Sequence, residues 1–373
     1  MNIIVIGAGL TGATVARLFA DAGHKVEVYE KRNHIGGNCY DYKMGKAFIS
    51  VYGPHIFHTN ESKVWSFVNR FANFNNYKHE VCTYHNKDFY DWPINLKTIK
   101  KIFGDREIDE LRILIANEIL QNDERINANE YTNFEEKAIS MVGVTMYKHF
   151  IENYTEKMWG IKPNELSVDL CNRIPIKWTE DNIFFSDKYQ GLPKCGYFSM
   201  ISEMMNHKNI KIYLNMNIES YDYSFVNSCD IFVTTANLNI AAPKLIYREM
   251  SFLRLQADCD NPTPVVNFSD NYTQKIRKTD YGKMWNDESN RRISVIEIPG
   301  KFTEVERNIS VEPLALCVEA YPIPNKSMQE YANNTIQTMK RCNINSLGRL
   351  GSYKYLNMDQ AILQAMNFVE GVL

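Results

Sequence analysis

The N-terminal segment constrains the fold of this chain more tightly than any other part of it. Residues 2–6 are a short apolar run, and residues 7–12 read Gly-Ala-Gly-Leu-Thr-Gly, which matches the pattern GxGxxG. Apolar residues then recur at helical spacing over 12–22, Gly23 ends that stretch, and 25–30 alternates between polar and apolar side chains. This order predicts a strand, a glycine turn, a helix and a second strand, which is the βαβ unit of a parallel sheet. We therefore expect an α/β fold with a Rossmann-like domain.

The glycines of this turn have separate physical roles. Gly7 allows the tight turn, Gly9 lets the backbone approach a pyrophosphate, and Gly12 allows the helix to pack closely on the strand. The N-terminus of the helix adds unpaired N–H groups and a partial positive charge, and both favour a bound phosphate. Glu30 ends the second strand, where its carboxylate can accept hydrogen bonds from a ribose hydroxyl pair. The pattern therefore predicts a dinucleotide site.

A second glycine pair indicates which dinucleotide is bound. Gly36 and Gly37 follow shortly after Glu30 and let another backbone segment approach the ligand. This arrangement is similar to the FAD form of the motif, and the sequence contains no second GxGxxG for a nicotinamide domain. A glycine-rich turn in another kind of α/β protein is the alternative, but strand, helix, acid and glycine pair all occur in register. We predict an FAD protein reduced by an external donor such as NAD(P)H or a reductase. The predicted FAD contacts are Gly7, Gly9, Leu10, Thr11, Gly12, Glu30, Lys31, Gly37 and Asn38.

Composition and charge exclude several other classes of protein. Hydrophobic residues make up 45% of the 373 residues and charged residues 23%, which is typical of a packed globular chain of two or three domains. The formal net charge of -2 does not support bulk electrostatic binding of nucleic acid or of an anionic membrane. No CxxC pair occurs among the eight cysteines, so we expect reduced thiols and no metal site. The chain has no apolar run of about 18 residues and opens on a strand, so we expect a cytoplasmic protein without membrane insertion.

The middle and the end of the chain change character. Residues 96–120 and 134–158 each place apolar residues on one helical face, and Gly160 with Pro163 stops the second stretch. The pattern predicts three further regions: a helical insertion over 96–160, a β-rich and proline-containing antiparallel sheet over 261–325, and a helix over 356–370.

Several blocks of aromatic and charged residues lie outside the glycine motif. Judged alone, the two histidines of 52–59 indicate a packed loop, and Tyr154 and Trp159 are equally compatible with a helix-end core. The blocks are Tyr-Gly-Pro-His-Ile-Phe-His-Thr at 52–59, Tyr-Thr-Glu-Lys-Met-Trp-Gly at 154–160, Arg-Ile-Pro at 173–175, Phe-Ser-Asp-Lys-Tyr-Gln-Gly at 185–191, Asn-Phe-Ser-Asp at 267–270 and Gly-Arg-Leu at 348–350. Together with residues 7–12 and 30–38, they resemble the UDP-galactopyranose mutase family, and the resemblance runs over essentially the whole chain.

The resemblance implies a reaction and a set of domains. The family converts UDP-galactopyranose to UDP-galactofuranose without net oxidation and requires reduced FAD. Flavin N5 attacks the anomeric carbon and displaces UDP, the adduct opens to an iminium, and the ring recloses through another hydroxyl before UDP returns. We accordingly expect an isomerase of cell-surface polysaccharide biosynthesis that acts on a nucleotide sugar as a homodimer. The expected domains are a discontinuous FAD-binding domain (1–75, 192–245 and 340–373), a helical domain (96–165) with a mobile lid (160–175), and an antiparallel sheet or substrate domain (76–95, 176–191 and 246–339).

The same blocks imply roles for individual residues. Tyr154 is expected to stack on the uracil, and Trp159 to line the sugar-nucleotide cleft. Arg173 is expected to close on the diphosphate from a mobile loop, with Tyr189 and Tyr355 donating to phosphate oxygens. The residues expected near the flavin are His55, His58, Arg349 and Met358, and those completing the substrate site are Asn267 and Tyr321. The expected catalytic residues are Arg173, Arg277 and His55.

The position of the second diphosphate arginine has two alternatives. In the family it follows an Asn-Phe-Ser/Thr-Asp block at a fixed distance, in a sequence similar to Pro-Tyr-Thr-Arg. Alignment on Tyr272 and Thr273 places Gln274 there and requires a gap. Counting from Asn267 without a gap places Arg277 there instead. We favour Arg277, because a charge-assisted contact to a leaving diphosphate is stronger than a neutral one.

Departures from the family pattern lie around the expected pocket. Asn357 stands where the family usually has Asp, Ala320 replaces the first tyrosine of a Tyr-Tyr-Pro element, and residues 234–236 replace a Thr-Gly turn. These changes bear on sugar or base specificity and not on the flavin. UDP-galactose is the expected substrate, and another UDP- or dTDP-hexopyranose with an N-acetyl or 6-deoxy group is the alternative. A flavin oxidoreductase of the amine-oxidase type and a catalytically inactive binding protein are the competing classes.

Overall fold

The structure is a computed structural model that describes residues 1–122, 131–173, 176–218, 226–256, 261–287, 293–301 and 311–373, without the side chains of 122, 172, 173 and 256. The strands are β1 (Asn2–Ile6), β2 (Lys25–Tyr29), β3 (Asp41–Met44), β4 (Ala47–Ser50), β5 (Phe57–Thr59), β6 (Val81–His85), β7 (Asp88–Trp92), β8 (Ile94–Asn95), β9 (Ile176–Lys177), β10 (Tyr189–Gly191), β11 (Ile210–Tyr213), β12 (Ile231–Thr234), β13 (Tyr247–Gln256), β14 (Val265–Phe268), β15 (Arg277–Asp280), β16 (Ile293–Pro299), β17 (Val311–Pro322) and β18 (Ile344–Ser346). The α-helices are α1 (Leu10–Asp21), α2 (Ser62–Val68), α3 (Leu96–Phe103), α4 (Ile108–Asn122), α5 (Phe134–Met146), α6 (Glu152–Trp159), α7 (Tyr197–Met205), α8 (Tyr281–Met284), α9 (Lys326–Arg341), α10 (Gly348–Gly351) and α11 (Met358–Glu370). Short 3₁₀-helices cover Gly37–Cys39, Pro163–Glu165, Val168–Arg173 and Leu238–Ile240, and a π-helix covers Tyr147–Ile151.

The N-terminal βαβ unit belongs to a parallel sheet with the strand order β11-β2-β1-β12-β18. Ile3 and Val5 on one face of β1 share a core with residues of α1, α7 and α11. Ile4 and Ile6 on the other face share a second core with residues of α9. A parallel sheet covered on both faces needs such continuous apolar strands. The Rossmann-like fold predicted from the first strand, turn and helix is therefore confirmed.

A second large sheet has the order β17-β13-β16-β15-β14-β6-β7. It was predicted as antiparallel, but β14 and β6 pair in parallel, so the sheet is mixed. The long connection between these two strands permits the parallel pairing. Asn267 in β14 lies opposite Arg277 in β15, and Arg277 lies opposite Glu297 in β16. Directly opposed residues share one face of a sheet, so this register brings three polar side chains together.

The helical region contains a break that the apolar periodicity did not predict. The expected single helix over 134–158 consists of α5, the π-helix and α6. Gly143 inside α5 has φ 79°, and a Cβ there would lie 2.7 Å from Glu118 Oε2. Glu118 also accepts a hydrogen bond from Thr145 N at 3.0 Å, so α4 packs where a continuous helix would place a side chain. Gly160 adopts φ 72° and ends α6, as predicted.

No helix within the described ranges is long and apolar enough to cross a membrane. The same part of the chain shows no group of three or more His, Cys, Asp or Glu arranged to hold a metal ion.

Candidate active site

The glycine turn before α1 is packed so tightly that it excludes side chains. Gly7 adopts φ 99°, and a Cβ on Gly12 would lie 2.0 Å from the Gly7 carbonyl oxygen. Gly9 and Gly37 meet backbone to backbone, because a Cβ on Gly37 would lie 2.8 Å from the Gly9 Cα. The two glycine segments therefore form one surface of bare backbone at the N-terminus of α1, which we call the glycine cradle. Such a surface fits the pyrophosphate of FAD, since N–H groups and helix dipole can approach it without obstruction.

Glu30 is buried at the end of β2, and its carboxylate has two backbone partners. Oε2 accepts a hydrogen bond from Ala8 N at 2.8 Å, and Oε1 accepts one from Arg32 N at 2.9 Å. Glu30 therefore stabilises the backbone conformation of the glycine cradle. It is also predicted to contact the ribose. Each carboxylate oxygen has a further lone pair, so ribose hydroxyls can join this network without breaking it.

Arg32 belongs to the dinucleotide side of the site although no sequence motif marks it. Its Nη2 donates to Asn38 Oδ1 at 2.9 Å, and its guanidinium lies 4.3 Å from the centre of the Tyr52 ring. Lys31, which is also predicted to contact FAD, is exposed. The charged planar group of Arg32 was the available signal, because arginine is well suited to phosphate recognition.

A cavity of about 630 Å³ is lined by Asn38, which follows Gly37 of the glycine cradle, and by residues of the mixed sheet such as Asn267 and Arg277. We call it the cleft, and its volume is typical of ligand sites. The predicted residues on its walls are Asn38, His55, His58, Tyr154, Trp159, Asn267, Arg277, Tyr321, Arg349, Tyr355 and Met358. Lining residues that no sequence motif singled out include His79, Val81, Thr83, Phe150 and Ile151. The fold thus gathers six of the eight predicted substrate residues and five of the thirteen predicted flavin residues around one cavity.

A buried glutamate holds the arginine that counting from Asn267 selects. Arg277 Nη1 lies 3.3 Å from Glu297 Oε1, and its Nη2 donates to Tyr154 Oη at 3.4 Å. Burial raises the pKa of Glu297, and Arg277 opposes that rise. Burial also acts to lower the pKa of Arg277, but the Glu297 carboxylate and the phenols of Tyr154 and Tyr321 together more than offset it, so the guanidinium stays charged. Gln274 is exposed in the turn between β14 and β15, whereas Arg277 lines the cleft.

Aromatic rings and an arginine form one wall of the cleft, which we call the aromatic wall. Tyr321 and Tyr355 stack with their ring centres 5.4 Å apart and 17° between the planes. The Arg349 guanidinium lies 5.3 and 5.1 Å from these centres and donates two hydrogen bonds to Leu356 O. Trp159 contacts both tyrosines edge-on, at 6.1 and 5.7 Å. Each ring is therefore held by its neighbours, so the wall presents its phenols and indole in fixed positions.

The histidines of the 52–59 block both reach the cleft. His55 Nδ1 lies 2.9 Å from Gly53 O. Because a carbonyl oxygen only accepts, Nδ1 carries the proton and Nε2 is left as an acceptor. Burial lowers the pKa of His55 to about 4, so the ring is neutral at physiological pH. His58 Nδ1 lies 2.9 Å from Asp187 Oδ2, which fixes the orientation of the second ring.

Tyr189 is not brought to the cleft. β10 pairs with β5, and the Tyr189 ring stacks on Trp65 of α2 with 5.2 Å between centres. The ring therefore packs against α2 in this structure, and the predicted phosphate contact stays a prediction. Phe185 and Asp187 of the same block line the cleft instead.

Other predicted residues lie at the edges of the site. Leu10 and Thr11 form the first turn of α1, and Thr11 packs against Gly348, where a Cβ would lie 2.9 Å from Thr11 Oγ1. Arg173 ends the 3₁₀-helix Val168–Arg173, and its side chain lies outside the described residues, as do residues 174–175 of the predicted lid.

Glu297 is a site residue that the sequence motifs missed. It stands alone as an acid in the apolar run of β16 and is 1% exposed. A single charge within a buried strand was the available signal, because such a charge is expected to have a partner.

Two family models match the chain. One, described as an NAD(P)-binding Rossmann-like domain, matches residues 5–71. The other, described as UDP-galactopyranose mutase, matches residues 149–355, which is more than half of the chain. The chain belongs to the UDP-galactopyranose mutase family. The family and the α/β fold class predicted from the sequence are thereby confirmed.

Full-length relatives agree with this assignment. The dTDP-fucopyranose mutase of Escherichia coli is 32% identical and covers 98% of this chain, with 96% of that protein matched. The probable UDP-galactopyranose mutase of Klebsiella pneumoniae is also 32% identical and covers 100% of this chain, with 94% of that protein matched. The crystal structure of a reduced UDP-galactopyranose mutase matches this chain with a TM-score of 0.77 at 14% sequence identity. The match covers 100% of this chain and 94% of that chain, so the two proteins have the same fold. The chain is an isomerase of the UDP-galactopyranose mutase type that uses a flavin, and the family implies a nucleotide-sugar substrate.

Proposed function

We propose that this enzyme interconverts UDP-galactopyranose and UDP-galactofuranose with FAD that must be reduced. The observation that carries the proposal is the cleft, whose lining runs from Asn38, the residue after Gly37 of the glycine cradle, to the charged side chain of Arg277. One end suits a dinucleotide, and the other suits the diphosphate of a nucleotide sugar. Bound in its reduced form, FAD supplies a nucleophilic nitrogen for the anomeric carbon, so no net oxidation is needed.

The glycine cradle and the aromatic wall provide the contacts for FAD in this proposal. Gly9 and Gly37 leave room for the pyrophosphate, and Glu30 accepts from the ribose. Arg32 is added to the predicted set because it borders the same end of the cleft. The remaining proposed FAD contacts are Gly7, Leu10, Thr11, Gly12, Asn38, His55, His58, Arg349 and Met358.

The opposite end of the cleft provides the substrate contacts. Tyr154 provides a ring that stacks on the uracil, and Arg277 provides a positive charge for the diphosphate. The two side chains are in contact, so they can bind neighbouring parts of one nucleotide. The remaining proposed substrate contacts are Trp159, Asn267, Tyr321 and Tyr355. Asn267 Oδ1 supports this assignment, because it is buried without a partner among the described residues and can accept a ligand hydrogen bond.

The ion pair at Arg277 explains why a second cation is needed. Glu297 shares the positive charge of Arg277, so the pair as a whole is close to neutral. A leaving diphosphate carries more negative charge than this pair can balance. Arg173 on the predicted lid 160–175 is the proposed second cation. A homodimer and an external reductant remain part of the proposal.

His55 has a different role in this proposal. Its neutral ring keeps Nε2 as an acceptor within the cleft, so it can accept a hydrogen bond from FAD or from a sugar hydroxyl. It does not add positive charge near the anomeric carbon.

One chromatographic assay of UDP-galactose, run with and without dithionite, tests the reaction. The proposal expects UDP-galactofuranose with dithionite and none without it. Stoichiometric sugar oxidation with peroxide formation would instead show an oxidase of the amine-oxidase type. Ligand binding without turnover under either condition would show an inactive binding protein.

A 6-deoxy or N-acetyl sugar on UDP or dTDP is the second candidate substrate. The dTDP-fucopyranose mutase of Escherichia coli is as similar to this chain as the Klebsiella pneumoniae protein is. Ala320 supplies only a methyl group to the wall beside Tyr321, which leaves room in the cleft. Comparing kcat/KM for UDP-galactose, UDP-N-acetylgalactosamine and dTDP-fucose separates the candidates. A preference above about a hundredfold for either of the latter two would overturn UDP-galactose, because one methylene-sized contact supplies less than that.

A further inference from the structure

His79 is a buried histidine of the cleft that none of the roles above uses. It lies just before β6 and is 6% exposed. Its carbonyl accepts a hydrogen bond from Phe184 N at 2.7 Å. The rings of Phe184 and Phe185 each lie 5.6 Å from its ring, centre to centre, and Tyr77 Oη lies 3.1 Å from Nδ1. These contacts fix the position of the imidazole.

The contact with Tyr77 is satisfied by the tautomer that carries its proton on Nε2. Burial raises the pKa of Tyr77, so its hydroxyl stays protonated. Within the described part of the chain, Nδ1 of His79 is the acceptor that this hydroxyl reaches. When the hydroxyl donates to Nδ1, the neutral imidazole carries its proton on Nε2.

In this tautomer, Nε2 is a donor. It has no hydrogen-bond partner among the residues that the structure describes, and His79 lines the cleft. Burial lowers the pKa of His79 to about 3, and the charges of Arg277 and His58 act in the same direction. A neutral N–H adds little to the stabilisation of a diphosphate, but it pairs well with a neutral hydroxyl.

His79 lines the same cleft as Arg277 and His58. Arg277 marks the proposed diphosphate end of the cleft, and His58 the proposed flavin end. A hexose that joins the two ends would pass His79. We propose that Nε2–H of His79 donates a hydrogen bond to a non-reacting hydroxyl of the hexose, at position 2, 3 or 6, and so helps to select the sugar. This inference rests on the proposed function.

Deoxy substrates test the inference directly. The kcat/KM is measured for the wild type and His79→Ala with UDP-galactose and its 2-deoxy, 3-deoxy and 6-deoxy analogues. His79→Ala should lose about 3- to 12-fold with UDP-galactose, as expected for one neutral hydrogen bond. It should lose nothing further with the one analogue that lacks the partner hydroxyl. His79→Gln, whose amide can place an N–H near the position of Nε2, should recover most of the loss.

Controls separate this contact from a change in shape. His85 is also buried, with Nδ1 3.0 Å from Ser269 Oγ, but it does not line the cleft. His85→Gln should leave the pattern across the four substrates unchanged. Tyr77→Phe removes the hydroxyl that contacts Nδ1 and favours the proton on Nε2, so it should reduce the same hydroxyl preference. Flavin absorbance and thermal unfolding show whether each variant is folded.

The outcomes distinguish this inference from the function on which it rests. Equal losses on all four substrates in His79→Ala, or no loss at all, would overturn the inference while the mutase activity stands. A folded, flavin-loaded wild type that converts none of the four would overturn the proposed function and this inference with it.

Discussion

The glycine cradle and the aromatic wall differ in which part of the chain builds them. The cradle is built from backbone, and its parts lie close together in the sequence, from Gly7 to Gly37. The wall is built from side chains that lie far apart in the sequence, such as Trp159, Tyr321 and Tyr355. The cradle is therefore sensitive to added atoms, and the wall is sensitive to lost contacts.

The two regions also differ in how they hold charge. Glu30 in the cradle is satisfied by backbone N–H groups, so its charge has local partners. Arg277 and Glu297 depend on each other across two strands. Removing one member of such a pair leaves the other uncompensated, which is strongly destabilising for a buried group. Substitutions that add atoms should therefore affect the glycine cradle most. Substitutions that remove a charge should affect the substrate end of the cleft most.

Gly12→Ala should have the largest effect. The new Cβ would lie 2.0 Å from the Gly7 carbonyl oxygen, and a backbone atom cannot move aside as a flexible side chain can. We expect FAD affinity to fall about a hundredfold or more, equivalent to about 2.8 kcal/mol. Flavin absorbance after gel filtration and FAD titration measure the loss.

Gly23→Ala is the matched control for the cradle. Gly23 follows α1 with φ 87°, but a Cβ there meets nothing within 4 Å. The variant should lose about 1–2 kcal/mol of unfolding free energy through backbone strain and still bind FAD. Normal flavin binding by Gly12→Ala would show that the cradle is not the dinucleotide site.

Arg277→Met should have a comparably large effect, at the substrate end of the cleft. Loss of a donor aimed at the leaving diphosphate should reduce kcat by about 10²- to 10³-fold. Glu297 would be left buried without its charge partner, so the unfolding free energy should fall by about 3–5 kcal/mol. Turnover with dithionite and urea unfolding measure the two quantities.

A double variant separates the two roles of Arg277. Adding Glu297→Gln removes the uncompensated charge, so the double variant should regain most of the lost stability and none of the activity. Gln274→Ala should match the wild type, because Gln274 is exposed in the turn. Near-full activity in Arg277→Met together with loss of activity in Gln274→Ala would show that the gapped alignment is correct.

The glycine cradle could be predicted from the sequence more fully than the side-chain contacts elsewhere in the molecule. Gly7, Gly9 and Gly12 could be predicted because their roles belong to a short stretch of backbone with fixed spacing. The break at Gly143 could not be predicted, because the apolar periodicity continues across it. The φ of 79° that Gly143 adopts requires a glycine, and the side chain of Glu118 then lies where a Cβ would be.

The substrate end of the cleft was predictable only in part. The choice between Arg277 and Gln274 depends on the register that places Asn267 opposite Arg277, and the sequence alone leaves both open. Tyr189 was assigned to the phosphate because its motif resembles the family, but a motif does not say which way the ring points. His79 has no motif, and its place in the cleft comes from cross-strand and aromatic packing.

The smallest effect is expected at His55, between the two regions. Its pKa is lowered from 6.5 to about 4 in the folded chain. Between these values the unfolded chain binds a proton that the folded chain does not, so stability rises with pH across this window. The stability is therefore lost as the pH falls from about 6.5 toward about 4. From pH 7 to pH 5, the loss for this one group should be about 2 kcal/mol.

Urea unfolding of the wild type and His55→Gln at pH 7 and pH 5 measures this term. The variant should lose about 2 kcal/mol less than the wild type on acidification, since glutamine does not titrate. His24→Gln is the matched control, because His24 is partly exposed just before β2 and lies outside the cleft; it should lose as much as the wild type. Equal losses in the wild type and His55→Gln would mean that water reaches the imidazole. The region around His55 would then be open to water before FAD binds, and bound FAD would have to exclude that water.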